Sequence, residues 1–492
     1  MHGGNKRMRS IPLVFLLAAI TICPRLSLGE SLAIVGGTII DGTGKAPLVG
    51  TVSIKDGRIN AIGPDVKVPA GAKKVDAHGK YVIPGLMDAN VHLIGQTDLE
   101  TLVKYDGHYE DIGLEAAQMA LKYGLTTVFD TWGPRQPLTK ARDLINSGQA
   151  PGSRFYLAGN IIGFGGPFST DFLEEQGKYL TKTFVKRTNA LWEENVGQDL
   201  MYMGPEQVRQ EIRKYIATGV DFLKYEASGH MGTEDRYISF SPRVQHVIVE
   251  EGHRAGLVVQ AHVTTIESLD LAVDAGLDIA THCEMTEKHV IPPETLQKMA
   301  ERKVACSVLP ITQRHLDALQ KAAPESYEMW NIGKLNEKAL IKAGVTLLLS
   351  TDAGLAHPIK NAEAAAKPEG AVEVLIDPRA RLGEGHFNAL QALQEEGMAP
   401  LQVLATATLN IARAYKKDQD LGSLETGKIA DLVILDRNPL DDARNYRSIN
   451  AVYKDGKRVD VGALPLNPRI SSEKVPPELL PRADAQPKSD IE

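Results

Sequence analysis

From Leu114 to Gly354 the chain repeats one unit, an amphipathic helical stretch followed by a short apolar strand, and few folds accept that repeat. LEAAQMALKYG precedes LTTVFDT, LTKARDLINSG precedes SRFYLAG, and PEQVRQEIRKYIATGV precedes DFLKYEA. SPRVQHVIVEEGHRAG then leads to LVVQAHV, IESLDLAVDAG to DIATHCE, LQKMAERK to VACSVLP, and LNEKALIKAG to VTLLLSTDAG. In the third unit Val208, Ile212, Tyr215 and Ile216 share one helical face; in the fourth, Ser241 stands as N-cap with Pro242 at the first turn. Short links between alternating elements imply a parallel sheet. With YVIPGLMDANVHL ahead of the series, eight strands are expected, ending near His92, Asp130, Gly159, Lys224, His262, His282, Pro310 and Asp352. Eight favour closure into an α/β TIM barrel, a (β/α)8 fold, over an open doubly wound sheet, which does not bring its first and last strands together.

Five of those ends carry side chains with chemistry: His92, Lys224, His262, His282 and Asp352. A lone histidine is ordinarily a satisfied core group, and a lone aspartate after a strand is ordinarily a helix cap. Five at five strand ends are another matter, because a barrel delivers them to one face. Imidazole and carboxylate are good ligands for a divalent ion such as zinc, which brings the pKa of bound water near neutrality.

The ends of the chain read differently. LAIVGGTIIDGTG, GTVSIKDGRINAIG and KKVDAHGKYVIPG alternate apolar and polar residues between turns, and LGSLETGKIADLVILDRNP with INAVYKDGKRV repeats that style near the C-terminus. A small β-sandwich domain built from residues 31–82 and 421–464, flanking a barrel of residues 83–420, accounts for both. Residues 465–492 form a tail rich in Pro and charge, expected to lack order after Ser472.

Lys6, Arg7 and Arg9 precede the apolar run IPLVFLLAAITI, so residues 1–30 read as a secretory signal. The run falls short of the roughly 20 residues a membrane span needs. Ile22, before Cys23, is too large for a lipoprotein signal. The expected product is periplasmic or secreted, with no stable membrane anchor after cleavage. It retains Cys283 and Cys306, in core strands, where pairing is compatible with an oxidising compartment and small apolar packing is the alternative. A net charge of −7 speaks against nucleic acid as a partner. Composition otherwise describes ordinary globular material.

Taken in order, the β-domain leader, IPGLMDANVHL, KYEASG, the two histidine strands and STDAG resemble the metal-dependent amidohydrolase superfamily, closest to its imidazolonepropionase and Xaa-Pro dipeptidase branch. The likeness spans nearly the whole chain after the leader. It implies that Lys224 is carboxylated on its amine and bridges metals, that His262 and His282 hold one ion, and that His92 and Asp352 face another. It also implies that Asp352 moves a proton from the attacking water to the leaving nitrogen. The family has His-x-His where this chain has Asn90-Val91-His92. An amide oxygen is a harder, weaker donor to zinc than imidazole, so with Asn90 among the ligands the second position is expected to be impaired or differently selective. The Asn-x-His variant resembles phenylurea hydrolase and molinate hydrolase. One or two divalent ions per chain, most simply Zn2+, are implied, and homo-oligomers are common among such relatives.

His230, in ASGHMG after Lys224, sits where it can polarise a substrate carbonyl or contact the substrate's far end, with an ordinary loop histidine as the alternative; Tyr225 faces either inward or outward. Glu284, His289, His315 and His357 are assigned to the surface or rim, and GFGG at Gly163–Gly166, lacking a following helix and lysine, to a turn. Long segments after strands three, seven and eight are expected to wall the pocket. The expected reaction is attack of metal-activated hydroxide on an amide, carbamate or urea carbonyl of a small molecule. Two rivals are a metallo-dipeptidase or carboxypeptidase, needing a cation such as Arg135, Arg236 or Arg314 for the free carboxylate, and a barrel that binds without catalysis.

Overall fold

The computed structural model describes Met1 and residues 31–94, 98–230, 237–355 and 381–471. The signal reading, His357, Arg236 and the tail beyond Ser471 lie outside the described residues. No helix among the described residues is long and apolar enough to cross a membrane.

The barrel is built from β6 (Leu86–His92), β7 (Leu125–Asp130), β8 (Arg154–Leu157), β9 (Leu223–Glu226), β10 (Val259–His262), β11 (Ile279–Thr281), β12 (Ala305–Val308) and β13 (Leu347–Leu349). Adjacent strands pair in parallel from β6 to β8 and from β9 to β13. Both seams close just past the strand ends. At one, Ile162 donates to the Lys224 carbonyl at 2.8 Å and accepts from Glu226 N–H at 2.9 Å. At the other, Asp352 N–H donates to the Asn90 carbonyl at 2.9 Å, and the two-residue strand β14 (Ala353–Gly354) pairs with Val91 and His92.

The helices form where the sequence pattern puts them. Pro205–Ile216 starts with Pro at its first turn and buries Val208, Ile212 and Tyr215; the Tyr215 hydroxyl donates to the Ala158 carbonyl at 2.7 Å, tying the helix to β8. Pro242–Arg254 likewise begins on proline, and Ser241 holds the N-cap position without a side-chain bond. Inside the barrel, away from the site, Phe129 stacks on Tyr415 at 3.7 Å beside Phe222, so the lower interior is packed core rather than a pore.

The small domain draws β1 (Leu32–Ile39), β2 (Leu48–Lys55), β3 (Arg58–Gly63), β4 (Lys73–Asp76) and β5 (Tyr81–Pro84) from the N-terminal part. β15 (Leu432–Leu435), β16 (Ile449–Lys454) and β17 (Lys457–Val459) come from the C-terminal part. Hydrogen bonding makes them one continuous eight-stranded sheet curled over its own core, so both faces of the expected sandwich belong to a single sheet. The curl is possible because β1 shifts register between Val35 and Gly37, pairing with β4 before the shift and β5 after it. Arg154 of β8 joins the units through Asp431 and Asp455, each at 2.5 Å.

The long insertions carry more structure than loops. After β8 come helix Lys182–Glu193 and the short turns around it; after β12, helices Gln313–Ala322 and Pro324–Ala343 form a hairpin. Leu316, Leu319 and Trp330 of that hairpin bury themselves on Met285, Leu309 and Ile311, an apolar cluster of its own. Leu466–Ser471 is also held: Glu115 accepts from the N–H groups of Arg469 at 2.8 Å and Ser471 at 2.8 Å.

Candidate metal centre

His92, Lys224, His262, His282, Asp352 and His230 line one cavity of about 560 Å3 at the C-terminal end of the barrel. Parallel strands of similar length end together, and the residues at those ends therefore meet. Two depart from ordinary strand geometry. His282, just past β11, has φ +41°, and Asp352, just past β13, has φ +56°; both are left-handed, a conformation that non-glycine residues hold only where surrounding bonds fix it. The His282 N–H donates to Ser307 O at 2.6 Å, and Asp352 is fixed by Asn90.

Burial sets the charge states of the nitrogen donors. His262 is fully enclosed and held well below the usual imidazole range by desolvation, then by His282 and His230. His282 is lowered to about 3, chiefly by burial. Both rings are therefore neutral. His282 Nδ1 lies 3.1 Å from the Val263 carbonyl, which only a protonated nitrogen satisfies, so its lone pair is on Nε2. His262 Nε2 is buried with no hydrogen-bond partner, and the two rings sit 4.5 Å apart, nearly perpendicular. Neutral imidazoles with uncommitted nitrogens, facing each other in a buried site, fit a divalent cation.

Lys224 is buried and lowered to about 8 by desolvation, against the pull of Asp352 and Asp130. It donates to Thr131 Oγ1 at 3.1 Å and lies 3.5 Å from Asn90 Oδ1. Thr131 in turn donates to Asn90 Oδ1, and Asn90 Nδ2 donates to Asp352 Oδ1 at 2.8 Å. His92 Nε2 also reaches Asp352 Oδ1, at 2.9 Å. Burial would raise the Asp352 carboxyl, yet His92, Lys224 and His282 outweigh it and hold it well below the usual carboxylate range. Asn90 thus stands as a hydrogen-bonding link whose two amide ends are both engaged. Beneath it Asp88, raised to about 7 by burial, accepts from Asn90 N–H at 3.1 Å and the Thr351 hydroxyl at 2.6 Å, clamping β6 to the end of β13.

His230 stacks parallel to His262 at 5.8 Å, edge-on to Phe164 and Phe172. Phe172 stacks on Trp132 at 4.0 Å, completing an aromatic wall. Tyr225 points away from the cavity, its hydroxyl donating to Gln245 Oε1 at 3.0 Å. Glu284 is buried and accepts from Leu309 N–H at 2.7 Å, His315 is buried, and His289 is exposed; none of the three lines the cavity. Arg135 is held by Glu194 at 2.6 and 3.0 Å, and Arg314 is exposed away from the cavity. Gly165 and Gly166 direct their N–H groups to the carboxylates of Asp171 and Glu193, which makes GFGG a turn with no room for a phosphate.

Cys283 and Cys306 are joined by a disulfide, bridging the residue after His282 to β12. With Glu284 these sulfurs make the tightest cluster of ligand-type atoms among the described residues, all within 4.8 Å, but the bridge removes both thiols. The histidine–aspartate set is more open, with Lys224 in its midst.

Sequence reading passed over Thr131, Trp132 and Asp171. Thr131 and Trp132 directly follow Asp130 at the end of β7, so the strand-end rule that selected His92 also marks them. Asp171 sits in an insertion without pattern.

A family model described as "Amidohydrolase family" matches residues 81–459. The chain belongs to the amidohydrolase family. It is similar to the solved structure of molinate hydrolase, with 37% identity, a TM-score of 0.85 and coverage of 92% of this chain and 99% of that one. It is similar to phenylurea hydrolase B at 36% identity and a TM-score of 0.86, covering 90% and 100%. Among curated proteins it is 25% identical to ochratoxinase of Aspergillus niger over 456 residues, 86% of this chain and 85% of that protein. The amidohydrolase is accordingly an enzyme that hydrolyses carbon–nitrogen bonds other than peptide bonds, in a family generally dependent on a divalent metal.

Proposed function

We propose that this amidohydrolase cleaves the C–N bond of a small, partly apolar urea, carbamate or amide, using one tightly held divalent ion. The observation that carries the reading is the meeting of neutral His262 and His282 with desolvated Lys224 and ionised Asp352 beside an aromatic wall. Similarity to molinate hydrolase and phenylurea hydrolase B over nearly the whole chain supports the urea and carbamate classes.

His262, His282, Lys224 and Asp352 would hold the ion, and zinc suits these nitrogen and oxygen donors. When bound, the ion makes a coordinated water nucleophilic near neutral pH and polarises the carbonyl. Lys224, whose burial lowers it to about 8 and so makes the neutral amine accessible near neutral pH, is proposed to react with carbon dioxide to give a carbamate, supplying the oxygens that an open donor set needs. Asp352 accepts the proton of the attacking water and returns it to the leaving nitrogen. His230, over the cavity, steadies the negative charge that grows on the carbonyl oxygen. The link from Lys224 through Thr131 and Asn90 keeps Asp352 oriented for both transfers.

A dipeptidase would need a cation for the substrate carboxylate, and the two candidates among the described residues, Arg135 and Arg314, are both elsewhere. The basic-then-apolar leader and the Cys283–Cys306 bridge together support export to an oxidising compartment.

The test is turnover of N-aryl ureas, thiocarbamates, N-acyl anilides and dipeptides by protein with measured metal content. Hydrolysis of the first three classes, lost on chelation and restored by zinc, cobalt or manganese, is expected. Turnover confined to dipeptides, or none after reloading, overturns the reading.

A further inference from the structure

Besides the ligand cluster, the cavity carries a second charged feature. Asp171, in the insertion after β8, lines it together with Phe164, Phe172 and His230. Asp171 Oδ2 accepts from Gly165 N–H at 2.8 Å, from Gln198 Nε2 at 2.9 Å and from Ser169 Oγ at 3.4 Å. Three donors on one oxygen fix the carboxylate, and among the described residues Oδ1 has no protein partner. Gly165 makes this geometry possible, since a Cβ there would sit 2.3 Å from Ser169. Burial raises the Asp171 carboxyl from its ordinary value, and His230 draws it back.

The surroundings tell what such an oxygen can receive. Beside it stand the faces and edges of Phe164, Phe172 and Trp132, groups that attract cations through their ring quadrupoles. A second acid, Asp98, lines the same cavity while capping helix Leu99–Lys104 through Thr101 N–H at 3.0 Å. Among the described lining residues, the nitrogen groups that can bear positive charge are Lys224 and the histidines. This part of the cavity lining is thus aromatic and acidic, a combination that draws a cation and repels a carboxylate.

We propose that Asp171 is a specificity-determining residue, whose cavity-facing oxygen receives a positively charged nitrogen on the part of the substrate remote from the scissile carbonyl. The preferred substrates are aromatic-sized ureas, carbamates or amides bearing such a nitrogen, and carboxylate-bearing analogues are excluded. This rests on the hydrolase reading above, and the experiment separates the two.

Phenyl-substituted ureas with para trimethylammonio, tert-butyl or carboxylate groups are compared in wild-type and Asp171→Asn protein, the first two being isosteres. Wild type should favour the cation over its neutral isostere by about tenfold in kcat/KM and reject the carboxylate more strongly, consistent with an aromatic and ionic contact of this kind. Asp171→Asn should bring cation and isostere within about threefold, through KM, and leave kcat for the tert-butyl compound unchanged. Asparagine can still accept from Gly165 N–H, and an unaltered melting temperature checks the fold. A uniform loss across the series, or no charge preference in wild type, overturns the proposal. Should no urea, thiocarbamate or anilide be turned over by the metal-loaded protein, the hydrolase reading falls by itself. Calorimetric binding of benzyltrimethylammonium then decides: about tenfold weaker binding to Asp171→Asn supports the role of Asp171, and equal binding refutes it.

Discussion

The two flanks of the centre use similar residues to different ends. On the β10–β11 flank, His262 and His282 bring neutral rings to the cavity, one nitrogen of His282 anchored to a carbonyl and Nε2 of His262 without any partner. On the β6 flank, Asn90 has both amide ends engaged and His92 turns Nε2 to Asp352, its Nδ1 being buried without a hydrogen-bond partner. Nε2 of His262 is open to a cation, whereas Nε2 of His92 and both ends of the Asn90 amide are already taken by Asp352 and Thr131. The Asn90 side therefore reads as support for Asp352, and the His262 side as the place proposed for the metal.

Breaking the first flank should have the largest effect. His262→Ala should abolish retention of metal through gel filtration, measured by plasma mass spectrometry, and activity with it. Asp352→Asn should keep a detectable ion yet lower kcat on the order of 10²–10⁴-fold, the range for losing a general acid–base group.

Changes on the second flank are expected to be graded. Thr131→Val removes the hydroxyl between Lys224 and Asn90, and should reduce metal affinity or kcat by about 10–100-fold, as outer hydrogen bonds to a metal site commonly do. Asn90→His breaks the closed chain and restores a donor, so a second equivalent of zinc should bind in a titration; retention of one equivalent would count against the division drawn here. The smallest effect on the site is expected from the opposite end of the barrel. Arg154→Met strips buried Asp431 of its cation, while Asp455 keeps Lys454, and should destabilise by about 3 kcal/mol, since an uncompensated buried charge remains, with metal content unchanged.

Much of this comparison was open to sequence reading. The helix–strand repeat gave eight strands because each helix hides one face, as Val208, Ile212 and Tyr215 do, and strand ends in a barrel converge by geometry. That rule picked out His92, Lys224, His262, His282 and Asp352. It could not reveal that Asn90 faces Thr131 and Asp352, since amide orientation follows from neighbours 41 and 262 residues away. The insertions were equally opaque. Asp171 is given its conformation by Gly165, Ser169 and Gln198, and the hairpin after β12 by burial on Met285 and Leu309, none of which leaves a periodic signal. The small domain hid its continuity for a related reason: the shift at Gly36, φ +76°, is a local backbone event within an otherwise regular strand.

The central claim is that metal resides with His262 and His282 while Asn90 serves only to brace Asp352. Anomalous scattering from zinc-loaded crystals tests it most directly. One peak per chain, within bonding distance of His262 and His282 and with the Asn90 amide outside its coordination shell, is the predicted result. Two peaks of comparable height, or a peak bonded to Asn90, would contradict it.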